Sequence, residues 1–102
     1  MKEVLTEGLK DGKLTIALSG EIDAGNAEAF YEATMAAYSA TPADIAFECA
    51  ELDFIDSTTL GTFVKILKAV KTDGRTLAVK NLQPKIKKLF VICSLDTIME
   101  IS

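Results

Sequence analysis

Leu60, Phe63, Val64, Leu67 and Val70 follow the spacing i, i+3, i+4, i+7, i+10, and on either side of them the pattern becomes that of a strand. That spacing lays one apolar stripe along an amphipathic helix. Asp44-Ile45-Ala46-Phe47-Glu48-Cys49 precedes it as a short apolar strand, and Arg75-Thr76-Leu77-Ala78-Val79-Lys80 follows it after a turn at Thr72-Asp73-Gly74. Strand, helix and strand in that order make a crossover between parallel strands. This order argues for an α/β domain.

The alternation extends both ways. Asp11-Gly12, between Lys10 and Lys13, is a strong hairpin signal, because glycine adopts positive φ without steric cost. It joins Glu3–Leu9 to Leu14–Ser19 as an antiparallel pair. A helix is expected from about Asn26 to Ser39, with Ala27, Phe30, Ala33 or Thr34, and Ala37 on its inner face, ended by Thr41-Pro42. Pro84 suits the first turn of a third helix, whose buried face is Ile86, Leu89, Phe90 and Cys93. Ile98–Ile101 reads as a last strand. The expectation is one α/β domain over residues 1–102, with a mostly parallel central sheet, one antiparallel N-terminal strand and a covering of helices. Its core is drawn from Ile16, Leu18, Phe30, Phe47, Leu60, Phe63, Val64, Leu67, Leu77, Val79, Leu89 and Phe90.

Composition removes most chemistry. The 102 residues include no histidine, which excludes imidazole acid–base catalysis and Ser-His or Cys-His nucleophiles. The glycines at 8, 12, 20, 25, 61 and 74 fit no phosphate-binding loop. The carboxylate pairs Glu21/Asp23 and Asp53/Asp56 suit turns and caps. No enzyme activity, cofactor or metal is expected. The two cysteines, Cys49 and Cys93, lie in apolar surroundings and read as buried thiols of a reducing, cytoplasmic location. The longest apolar run, Leu89 to Cys93, is far too short to span a membrane, and no leader-like segment opens the chain. Residues 1–56 carry 12 acids and 3 bases, residues 57–102 carry 3 acids and 8 bases, and the net charge is −4. Such a balance opposes nucleic-acid binding, which depends on phosphate contacts, and Lys85, Lys87 and Lys88 read as a solvated helix face.

The informative segment is Leu52-Asp53-Phe54-Ile55-Asp56-Ser57-Thr58-Thr59-Leu60-Gly61. An apolar stretch passes into Asp-Ser-Thr-Thr where the amphipathic helix begins. One reading is an N-cap, in which these side chains accept the free N–H groups of the first turn. The other is a phosphorylation site, since a helix N-terminus favours a phosphate dianion and a strand-to-helix turn exposes the hydroxyl.

Phe54-Ile55-Asp56-Ser57-Thr58-Thr59-Leu60-Gly61 resembles the Asp-Ser-Ser-Gly-Leu-Gly signature of STAS domains, the anti-anti-sigma factors. Leu18-Ser19-Gly20-Glu21-Ile22-Asp23 is similar to that family's second strand, Asp73-Gly74-Arg75-Thr76-Leu77-Ala78-Val79 to its fourth, and Pro84-Lys85-Ile86-Lys87-Lys88-Leu89-Phe90 to its Pro-x-Val-x-x-Leu-Phe helix. The four motifs are collinear over roughly residues 10–101. The resemblance implies an anti-sigma factor antagonist. Ser57 would be phosphorylated by an anti-sigma factor that is a serine kinase-type ATPase, and a separate serine phosphatase would reset it. The unmodified form would bind the kinase through Asp23, Asp56, Ser57, Thr58 and Thr59. Thr59 stands where the signature has Gly, a bulkier side chain able to hinder a kinase's approach. Thr58 stands where it has Ser and offers a second hydroxyl, and Glu48 stands where the third strand often has Asp or Asn. Other members of the family imply an alternative, a constitutive interaction subunit of a lipid-transport or anion-transporter complex.

Overall fold

The computed structural model describes residues 6–10 and 12–102; the Glu3–Leu5 part of the expected first strand and Asp11 lie outside them. Five strands form one sheet in the order β1 (Thr6–Lys10), β2 (Lys13–Ile22), β3 (Asp44–Ile55), β4 (Leu77–Lys80) and β5 (Glu100–Ile101). β1 runs antiparallel to β2, Lys10 opposite Lys13, with Gly12 at φ 77° between them. β2–β3, β3–β4 and β4–β5 pair parallel. The helices are α1 (Ala27–Ala40), α2 (Ser57–Thr72) and α3 (Pro84–Ile92), and a short 3-10 turn at Leu95–Thr97 precedes β5.

Spatial order equals sequence order, so the three crossovers all step across the sheet in one direction. Right-handed crossovers then place all three helices on the same face. The aromatic core reports that arrangement: Phe30 of α1 and Phe63 of α2 lie 5.6 and 5.3 Å from Phe47 of β3, and Phe63 lies 5.3 Å from Phe90 of α3. The covering of helices is thus on one side. At the centre of the opposite side the described residues are small or polar, Ala46 and Ala78 with Thr15, Ala17, Glu48 and Lys80 around them, while Phe54 is exposed near the carboxyl end of β3.

Of the expected core, Val64 and Leu89 are not fully buried. The buried arc of α2 is Thr59, Leu60, Phe63, Ile66, Leu67 and Val70. Val64 lies on the flank, about 100° round the helix from Phe63. Leu89 is likewise about 100° from Phe90 on α3 and is exposed. Only Ile86 and Phe90 of α3 are buried. Cys93, expected inside, is exposed, because it caps the helix one residue before Ser94 turns the chain at φ 59°. Cys49 is buried, and burial pushes its thiol up to about 12. On α1 the inner face uses Thr34 rather than Ala33, and Tyr38 is buried in addition.

β3 continues six residues beyond the expected end at Cys49. Its pairing with β2 shifts twice, from Ala17↔Glu48 to Ser19↔Glu51 and from Gly20↔Leu52 to Glu21↔Phe54. Each shift puts one extra residue on β3, which is a β-bulge. The bulges change the burial period from two to three, so that Cys49, Leu52 and Ile55 are buried with two exposed residues between each.

Candidate functional site

The parallel strands β2 and β3 end side by side, with Ile22 opposite Ile55. The chain leaves β2 through Asp23–Asn26 into α1, and leaves β3 through Asp56 into α2. Ligand sites of open α/β sheets lie beyond these carboxyl ends.

Asp56 is the N-cap of α2, in extended conformation, and both its oxygens are engaged. Oδ1 accepts the Thr59 N–H at 3.0 Å and lies 2.9 Å from the Thr59 hydroxyl. Oδ2 accepts the Ala24 N–H at 3.0 Å. The backbone N–H of Thr59, its hydroxyl and the Ala24 N–H outweigh partial burial and hold the Asp56 carboxyl below its usual range. The carboxylate therefore stays ionised and joins two loops, so the N-cap reading of this segment is correct.

The β2–α1 loop is folded on itself. The Asp23 N–H donates to Asn26 Oδ1 at 2.8 Å, Asp23 Oδ1 accepts the Gly25 N–H at 2.9 Å, and Asn26 Nδ2 donates to the Glu21 carbonyl at 2.9 Å. A Cβ on Gly25 would sit 3.2 Å from Asp23 Oδ1, so the tight loop favours glycine. Asn26 and Ala24 were absent from the sequence-based site. The Asp-x-x-Asn spacing was the available signal, since an Asx side chain readily bonds backbone a few residues away.

Ser57 is the first residue of the helix, and both Ser57 and Thr58 are exposed. A helix leaves its first N–H groups without intrahelical partners. Asp56 takes that of Thr59, and the groups of Ser57 and Thr58 stand before it in the same turn. The two hydroxyls thus sit where a dianion is favoured. Thr59 is different. Its side chain has no exposed surface, and its hydroxyl reaches the carbonyl of Ile22 at the end of β2. Its side chain is turned into the core, whereas those of Ser57 and Thr58 are exposed. Sequence spacing carried that signal, since Thr59 is four residues before Phe63 and continues the buried stripe. Glu48 lies away from this end; its carboxylate accepts both contacts of Asn81 Nδ2, at 2.8 and 2.9 Å.

Among the described residues no group of three or more His, Cys, Asp or Glu side chains is placed to hold a metal ion, and no helix is long and apolar enough to cross a membrane.

A sheet flanked by helices on one face, with a capped Asp-Ser-Thr-Thr turn at the strand ends, defines a small α/β domain. The STAS domain model matches residues 6–102, and the chain belongs to the STAS family. It is 32% identical over 92 residues to the anti-sigma-B factor antagonist of Bacillus subtilis (strain 168), covering 90% of this chain and 84% of that one. In structure it is similar to an anti-sigma factor antagonist from Mycobacterium paratuberculosis, with a TM-score of 0.82 at 20% identity over 99% of this chain and 85% of that one. It is also similar to the phosphorylated form of SpoIIAA, the Bacillus cell fate determinant, with a TM-score of 0.72 at 18% identity over 100% of this chain and 91% of that one.

Proposed function

We propose that the chain is an anti-sigma factor antagonist whose Ser57 hydroxyl is the phosphate acceptor and whose unmodified form binds a serine kinase-type anti-sigma factor. The observation that carries this reading is the exposed Ser57 at the first position of a 16-residue helix, directly after an ionised N-cap aspartate. The identity to the Bacillus subtilis antagonist supports the class of partner. In this reading the chain is substrate and ligand, not catalyst, and a separate serine phosphatase restores the free hydroxyl.

Phosphate adds about −1.5 to −2 charges at pH 7. The helix N-terminus offsets it locally by roughly 0.3–2 kcal/mol, so the fold tolerates it. In a complex the dianion is desolvated beside Asp56 and the Asp23 loop, and an unpaired buried charge costs several kcal/mol. A 100-fold loss of affinity needs only about 2.7 kcal/mol.

The test is capture from native lysate with ATP, read by intact mass. The parent gains one phosphate, Thr58→Ala gains it too, and Ser57→Ala does not. Ser57→Asp keeps the fold and loses the captured kinase. Phosphate uptake by Ser57→Ala removes Ser57 as acceptor. Equal capture of a transporter subunit by parent and Ser57→Asp replaces the switch with a constitutive interaction.

A further inference from the structure

The role of Thr59 follows from three contacts made by one buried residue. Its N–H donates to Asp56 Oδ1, and its hydroxyl shares one proton between Asp56 Oδ1 and the Ile22 carbonyl. Asp56 in turn holds the Ala24 N–H with its other oxygen. The end of β2, the Asp23–Asn26 loop and the first turn of α2 are thereby tied through a single side chain and a single carboxylate. A glycine at this position keeps the N–H but has no hydroxyl to reach Ile22.

We infer that Thr59 is the positioning residue of this site: its buried hydroxyl fixes Asp56, and through Asp56 the Asp23–Asn26 loop, so that Ser57 and the acidic loop face a partner as one pre-set surface. What that surface is for rests on the phospho-switch reading; the lock itself rests on the contacts alone. Ordering the loop before the encounter lowers the cost of binding, because less conformational freedom is lost in the complex. It also holds the acceptor in one orientation for a kinase.

The lock acts through Asp56, so its loss is visible without any partner. The full chain is compared as parent, Thr59→Val, Thr59→Ser and Thr59→Gly. Amide exchange is followed at Ala24 in the loop and at Val79 in β4, and the Asp56 carboxyl is titrated by NMR. Asp53 stands three residues before that carboxyl in sequence, and Asp23 and Glu21 flank the loop that it holds through the Ala24 N–H; all three are unchanged in every variant. In Thr59→Val and Thr59→Gly, exchange at Ala24 should rise at least tenfold relative to Val79, and the Asp56 midpoint should move up. Thr59→Ser should restore both to the parent values, which mere loss of packing would not do. Unchanged Ala24 exchange in Thr59→Val overturns the lock. So does a parallel rise at Ala24 and Val79, which makes the hydroxyl a contributor to global stability only. Phosphate uptake by the parent is measured in the same preparation. If it is absent while Ala24 and Asp56 respond as stated, the phospho-switch reading fails and the lock stands.

Discussion

Helix α2 begins on one aspartate and ends on another, and the two do opposite things. Asp56 caps the N-terminus, where the helix dipole favours a negative charge. It collects the Thr59 and Ala24 N–H groups and sits below its usual carboxylate range. Asp73 caps the C-terminus, where the dipole disfavours an anion, and Lys71 precedes it in the last turn. Its Oδ2 accepts the hydroxyl of Tyr38 at 2.7 Å, tying the end of α1 to the end of α2. Burial first, then the hydrogen bond and charge of Asp73, raise the Tyr38 phenol above 10.0. Each aspartate thus ties α2, at opposite ends, to the segment carrying α1. At one end the carboxylate organises a surface with two free-standing hydroxyls beside it. At the other it satisfies a buried phenol and leaves nothing reactive. A carboxylate's work is set by the end of the dipole it occupies and by the donors that reach it.

The ends are joined by the ring of Phe63, which lies 5.2 Å from Phe30 and 5.3 Å from both Phe47 and Phe90. Phe63→Ala is the largest expected effect, a loss of about 3–5 kcal/mol in urea unfolding. That is a large share of a typical domain stability of roughly 5–15 kcal/mol. Both ends should loosen together, read by amide exchange at Ala24 and at Arg75. Loosening at one end alone would separate them. Next comes the contrast of the two caps. Asp56→Ala should cost about 0.5–2 kcal/mol, the usual cost of an N-cap. In a Tyr38→Phe background, where no buried phenol is left unpaired, Asp73→Ala should cost less, because the exposed Asp73 anion opposes the dipole it caps. Equal losses would erase the distinction.

Much of this was legible before any coordinates. Asp-Ser-Thr-Thr before an apolar stripe marks a helix start, and Ser57 is its first residue. The strand–helix alternation carried the parallel sheet. What was hidden has physical causes. The second half of β3 was missed because two bulges break the alternation that identifies a strand. Cys93 was placed inside because an apolar pattern does not say where the helix carrying it ends. Leu89 was placed inside together with Phe90, but two adjacent residues lie about 100° apart on a helix and cannot both face the core from so narrow a stripe. Thr59 was read for its bulk, whereas its position on the Phe63 stripe turns it inward. The tie between Ala24 and Asp56 spans 32 residues of chain, and no local pattern reports a backbone donor at that distance.

Midway between the two ends, Thr34 of α1 is fully buried, and its Oγ1 has no hydrogen-bond partner among the described residues. A buried polar group without a partner costs about 1–3 kcal/mol. Thr34→Val keeps the shape and removes that cost, so it should stabilise the chain by about 1 kcal/mol and raise the melting temperature. It touches neither cap, so it should add to Asp56→Ala without coupling. A loss of stability would mean that the hydroxyl is satisfied after all.

The smallest effect separates the ends by pH. Tyr38→Phe removes one hydrogen bond to an exposed carboxylate and should cost about 0.5–1.5 kcal/mol near neutrality. Its signature is in the alkaline limb. The folded chain holds the Tyr38 proton above the ordinary value of 10.0, so the parent keeps this contribution below pH 10 and loses it as the pH rises through the folded value. Tyr38→Phe should flatten that part of the profile. Asp56 works in the other direction. Its carboxyl lies below the ordinary 3.8 in the folded chain, so its contribution is complete above that pH and is lost as the pH falls through the folded value. Asp56→Asn should therefore flatten the acid limb alone, and Tyr38→Phe the alkaline limb alone. Unfolding curves at about pH 2.8–4.8 and about pH 9–11, one unit either side of the ordinary values 3.8 and 10.0, test the pair. A variant that moves both limbs, or the wrong one, would show that the two aspartates do not act as separate ends of one helix.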